Sequence, residues 1–398
     1  MRHMEREPGG ISPESGQSSG FEERSAIKKS RKRTLTILAA IAVAAIAVAA
    51  SYVVLVEEPS SSEAERYTWS IHTIDTNVVG WDYGQGTSIS TDSKNKIHIC
   101  YYDGKNQDLK YATNSSGSWM NYTLDSSGDV GEYNSMTIDS NDKIHISYCD
   151  TTNQDLKYAT NAGGSWMLDS ICHEKDRMLS SIAIDSNNGV YISYYDSTSS
   201  ELRYATNVNG SWTYHTIDSA GMSYSSIAIG SDDSIHVSYS GLDRSLKYAT
   251  NADGTWVSRV LDDTGHAWWC SIALGANGEI HISYLVSAQD ATTLKYASNA
   301  DGTWTCLTLY DEVGGWNTGT SIAVDSDNKI HIGFFDSANW YVMYATNESG
   351  SWACYTADNA RYVGDGTSMT VDSDNNIHFS YFDRWERELK YTTVAVSL

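Results

Sequence analysis

Histidine, aspartate, tyrosine and tryptophan return along this chain at regular intervals, as chemistry or as scaffold. A histidine recurs at His98, His145, His236, His281, His331 and His378, with Tyr191 in the remaining place. Five residues after that slot stand Asp103, Asp150, Asp196, Asp336 and Asp383. A ring of carboxylates could hold a cation, so these five are the candidate metal ligands. But a residue repeated in nearly every unit meets the same surroundings each time. We therefore read the histidines as hydrogen-bonded packing and the aspartates as turn caps, and expect no cofactor.

Chemistry is better sought where the pattern breaks. Those positions are Trp81, Asp82 and Tyr83; Glu132 and Tyr133; His173, Glu174 and Arg177; Met222 and Tyr224; His266, Trp268 and Trp269; Trp316; and Arg361, Tyr362 and Asp365. Aromatic rings interleaved with carboxylates suit sugar faces and cationic groups. The ligand-binding candidates are Trp81, Tyr83, Glu132, Tyr133, Tyr224, Trp268, Trp269, Trp316 and Tyr362. Proton transfer would instead draw on Tyr133, His173, Arg177, Tyr224 and His266, although no pair among them has diagnostic spacing. Trp268 and Trp269 are adjacent in an expected loop. Extended backbone would send one ring inward and leave the other free.

The elements that must position these residues are legible from the repeat. A Leu-Lys-Tyr-Ala-Thr-Asn phrase returns with its tyrosine at Tyr111, Tyr158, Tyr204, Tyr248, Tyr296, Tyr344 and Tyr391, at intervals of 44 to 48 residues. A period in the forties made of short alternating strands is that of a four-stranded propeller blade. The unit around Tyr158 reads as strands Ser135–Asp139, Lys143–Tyr148 and Leu156–Thr160, and a fourth from Trp166. Asn, Asp, Gly and Ser punctuate them. The last unit stops at Thr393, and its missing fourth strand stands at the other end, as Trp69–Asp75. The expected fold is all-β: a seven-bladed β-propeller over 68–398, closed by its N-terminal strand. All three prolines precede the ring.

The turns Thr113-Asn114-Ser115-Ser116-Gly117-Ser118-Trp119 and Ser298-Asn299-Ala300-Asp301-Gly302-Thr303-Trp304 resemble the Asp-box of sialidase-like propellers, with Gly and Trp one residue closer than in that box. The whole unit resembles the BNR-like repeats of prokaryotic surface proteins. The resemblance spans the propeller and implies fold rather than activity. A sialidase needs three substrate-binding arginines, a Tyr/Glu pair and an acidic proton donor; no Arg-Ile-Pro motif is present, and that activity is not carried over. Some BNR-like propellers are polysaccharide lyases, which would assign proton transfer to the His and Tyr set above and uronate neutralisation to Arg177.

Thr34 to Val56 is 23 residues without a charge, preceded by Lys28, Lys29, Arg31, Lys32 and Arg33. That length spans a bilayer, and the flanking charge keeps the N-terminus inside. The expected order is a basic cytoplasmic tail (1–33), a transmembrane signal anchor (34–56), a linker (57–67) and an extracellular propeller. A signal peptide cleaved near Ala49 is the alternative. Beyond the tail lie 19 basic and 45 acidic residues, a net of −26, which excludes nucleic acid as partner. The six cysteines have no Cys-x-x-Cys spacing, and Cys172 and Cys270 are expected in loops. Free thiols are expected. The function these features favour is a membrane-anchored binding or adhesion module for a glycan or a surface protein. A carbohydrate-active enzyme and a purely structural surface protein are the alternatives.

Overall fold

The computed structural model describes Ser51–Val53 and residues 67–78, 86–173, 179–288, 291–311, 313–314 and 319–394. These belong to one compact unit, Val43–Leu398. Among the described residues there is no helix, and so none long and apolar enough to cross a membrane. The tail expected to be cytoplasmic and nearly all of the expected span lie outside them.

Seven sheets follow one another as blades, each with four antiparallel strands and one with a fifth strand added at its outer edge. Their innermost strands are Thr87–Thr91, Val130–Ile138, Ser180–Ile184, Gly221–Ile229, His266–Leu274, Thr320–Val324 and Val363–Val371, for blades 1 to 7. Burial falls from the second strand outward. Ile97–Asp103 is buried along its whole length, because both faces of a blade pack on neighbours. The outer strand Met120–Asp125 is mostly exposed. Seven apolar clusters form, one between each pair of adjacent blades. In each, the tryptophan of a Gly-x-Trp turn, or Trp69, lies against the repeat tyrosine of the preceding blade. Trp166 on Tyr111, with ring centroids 5.2 Å apart, is one instance.

Blade 7 is closed by the N-terminal strand. Ser70–Thr76 pairs antiparallel with Glu388–Val394, Ser70 opposite Thr393 and Thr76 opposite Glu388. Tyr67, which the sequence places in the linker, is already core: it is 7% exposed and packs edge-on against Tyr344 and Tyr355. Ser51–Val53, at the end of the expected span, runs parallel to Cys306–Thr308 on the outer edge of blade 5.

One complete ring of polar contacts and a second, repeated at most interfaces, lock the blades. At the axis, Ser88, Ser135, Ser181, Ser226, Ser271, Ser321 and Ser368 each accept the backbone N–H of the Ile or Met that directly follows the aligned serine of the next blade, at 3.0–3.4 Å. The ring returns from Ser368 to Ile89. Between second and third strands, a tyrosine and a lysine converge on an aspartate of the preceding blade's outer strand: Tyr148 and Lys157 on Asp125, Tyr284 and Lys295 on Asp262. Such buried ion pairs hold only with every partner present; losing one costs about 3–5 kcal/mol.

Candidate functional site

At the channel the repeat becomes uneven. Inner strands of blades 2, 4, 5 and 7 are nine residues long, those of blades 1, 3 and 6 only five. The added residues come with β-bulges: pairing shifts between Glu132 and Ser135, between Trp268 and Ser271, and between Asp365 and Ser368. The bulged residue is left-handed, with φ of 52° at Tyr133, 43° at Trp269 and 65° at Gly366. Glycine takes that conformation freely, whereas a tyrosine or tryptophan there stores on the order of 1–3 kcal/mol. The bulge turns each ring into the channel.

The result is a cavity of about 290 Å³ on the axis, bordered by all seven blades. Aligned position by position, its wall carries Tyr133, Leu179, Tyr224 and Trp269 on blades 2 to 5, and Gly86, Gly319 and Gly366 on blades 1, 6 and 7. One half is a wall of rings and the other is bare backbone, with the serine ring beneath both. The size is near the lower end of small-molecule sites, roughly 300–1,000 Å³. Asn134 holds the first bulge rigid: its side-chain amide donates to Gly86 O and Gly131 O, both at 2.9 Å. Tyr224 joins the wall's other members, since both Trp268 (5.3 Å) and Trp269 (4.7 Å) pack on its ring. Burial, and then the nearby Tyr133, raise the Tyr224 hydroxyl above its usual range.

Several expectations need correction. Glu132, Tyr133, Tyr224, His266, Trp268 and Trp269 stand on inner strands, not in loops. Trp268 and Trp269 do not point apart, because Trp269 is not extended; both rings meet Tyr224, and Trp268 also packs on His266, tilted by 36° with ring centres 3.7 Å apart. Glu132 is 3% exposed and does not line the cavity. Tyr362 lies off the channel, between Trp340 and Trp385. Cys172 and Cys270 are on strands, and all six cysteines are thiols outside any disulfide. Trp81, Tyr83, Trp316 and Arg177 lie outside the described residues.

The proton-transfer set is only partly assembled. Tyr133 and Tyr224 meet at the cavity, and His266 stands behind them with its pKa lowered by burial and by Arg244. His173 ends the outermost strand of blade 2, three strand spacings or about 14 Å from the inner strand. Its side chain is largely exposed and its Nδ1 meets Asp155 at 3.0 Å. The five repeated aspartates act within their own turns: Asp103 accepts from Asn106, Asp150 from Asn153, Asp196 from Ser199, Asp336 from Asn339 and Asp383 from Glu386. Among the described residues no group of three His, Cys, Asp or Glu is placed to hold a metal. The repeated histidines sit between a tyrosine and a carboxylate, as His378 does between Tyr391 and Asp372. Sequence reasoning missed the serine ring, although a serine before Ile or Met in all seven units carried its signal. It also missed Trp340 and Trp385.

No protein-family description and no curated protein matches this sequence. Solved structures match its fold. A variant of AofleA from Arthrobotrys oligospora has a TM-score of 0.53 at 13% identity, covering 75% of this chain and 92% of its own. The six-bladed, fucose-recognising lectin of Aleuria aurantia has a TM-score of 0.51 at 12% identity, covering 72% of this chain and 99% of its own. The polysaccharide lyase Uly1 has a TM-score of 0.51 at 10% identity, covering 85% and 96%. At such identities the likeness is one of fold.

Proposed function

We propose that this chain is a membrane-anchored, BNR-type propeller that displays its ring outside the cell and binds a glycan at the mouth of the channel. The asymmetric cavity carries the reading. A symmetric ring would need no aromatic rings on blades 2, 4 and 5, two of them on strained backbone, opposite glycines on blades 1, 6 and 7; a flat apolar ligand face laid on Tyr133, Tyr224 and Trp269 gives that arrangement a use. Tyrosine hydroxyls at the rim would take sugar hydroxyls. Solved propellers of similar fold that are fucose-binding lectins, among them the SapL1 lectin in complex with α-methyl fucoside, support a sugar as the ligand class.

The test is a glycan array with the full-length protein in detergent, run beside Tyr133→Gly. Selective binding by the parent, weakened at least tenfold in the variant, is the expected result. An array without selective binding contradicts the reading. For topology, protease added to intact cells should remove the propeller and spare the basic tail; a protected propeller contradicts the anchor.

A further inference from the structure

A second aromatic group lies on the same face of the ring but away from the channel. It is built by the turns after the second strands of blades 6 and 7 and by the loop between those blades. Trp340 packs edge-on against Tyr362 at 4.9 Å, and Tyr362 stacks on Trp385 at 5.9 Å. The Arg361 guanidinium lies 4.0 Å from the Trp385 ring centre and 5.1 Å from that of Tyr362. None of the four borders the central cavity.

Each member departs from the repeat. Trp340 is left-handed (φ 60°) in the slot that other blades give to Gln107, Gln154, Ser200, Arg244 and Arg387. Trp385 is 55% exposed, more than any other tryptophan among the described residues. Together with Tyr362 and Trp340 it makes a contiguous, partly exposed aromatic group rather than a single scattered ring, which is the pattern that marks an interaction site. Charge is unusual here as well. In a chain of net charge −23, Arg361, Arg384 and Arg387 fall within 27 residues of one another. Arg384 is engaged by the buried Asp365, and Lys390 by Asp383. Arg361 takes part in no ion pair among the described residues. A guanidinium held over two rings keeps a fork of N–H donors that fits an oxyanion.

We propose that this rim is a separate subsite for a sugar bearing an anionic group, a carboxylate or a sulfate. The oxyanion meets the Arg361 fork and the sugar's C–H face lies on Trp385. Arg361, which has no carboxylate partner among the described residues, supplies the charge that offsets the repulsion the acidic surface otherwise imposes on such a ligand. The subsite does not depend on the channel reading.

Binding of methyl glucuronide, glucose 6-sulfate and methyl glucoside to the full-length protein in detergent tests it, by ligand-observed NMR titration. At least one anionic sugar should bind five or more times more tightly than the neutral one, and which of the two does so identifies the anionic group. Arg361→Ala and Trp385→Ala should each weaken that binding at least tenfold with Tm within about a degree of the parent. Arg361→Lys should not restore it, because an ammonium lacks the fork. Tyr133→Gly should leave it intact. Equal binding of all three sugars overturns the proposal, as does an Arg361→Ala variant that binds like the parent. Loss of anionic-sugar binding in Tyr133→Gly would place the ligand in the channel and overturn it too.

Discussion

Tyr133 shows how one residue can be costly to the fold and necessary to the site. Its left-handed φ of 52° is a glycine conformation, and its ring belongs to none of the seven apolar clusters. Tyr133→Gly should therefore unfold at the parent's Tm or slightly above, since strain of about 1 kcal/mol or more is relieved and little packing is lost. A drop of several degrees would show that the ring is structural. The repeated histidines make the opposite case. Burial lowers the pKa of His98, His145, His236, His281 and His378, partly offset by the adjacent carboxylates, and brings His281 from 6.5 to about 4. These rings are neutral in the fold but take up protons in the unfolded chain below 6.5. Their contribution is present above that pH and lost as pH falls toward 4. Tm should decline over that window, and His281→Gln should flatten part of the decline. A Tm constant from pH 7 to 4.5 would contradict this. Buried thiols should react slowly, since burial pushes Cys270 up to about 11 and Cys354 to about 12.

At the level of elements, the repeat was readable because every blade buries the same positions: tyrosine and tryptophan between blades, Asn and Asp in turns. Closure was readable because Trp69–Asp75 matches an internal fourth strand, and the register Ser70 to Thr393 follows. The bulged extensions were not. An inserted left-handed residue breaks the period-two alternation, so Glu132 and Tyr133, or Trp268 and Trp269, read as loop where the chain is still paired. For the same reason the two tryptophans were expected on opposite sides. Deleting residues 70–76 should strip blade 7 of its outer strand, expose the edge of Glu388–Val394, and cause aggregation or a broadened, lower transition. Unfolding at the parent temperature would mean that the strand does not close the ring.

The whole molecule is a scaffold of seven near-identical interfaces around one uneven centre. Seven serine hydrogen bonds, seven apolar clusters and a closing strand make the ring rigid, so strained rings at its mouth hold their places before any ligand arrives. The fold was legible in the sequence because it is periodic; the site was only partly legible because it consists of departures from the period, whose positions depend on bulges. The measurement closest to the central claim is the affinity of the best glycan on the array for the parent and for two tryptophan variants. Trp269→Ala removes a ring from the cavity wall, and Trp256→Ala removes one from an inter-blade contact with Tyr204. The account predicts that Trp269→Ala loses about 1–3 kcal/mol of binding, with some loss of Tm because the ring also packs on the apolar cluster between blades 5 and 6, while Trp256→Ala lowers Tm and leaves the affinity of the folded protein near the parent's. Unchanged affinity in Trp269→Ala would contradict it.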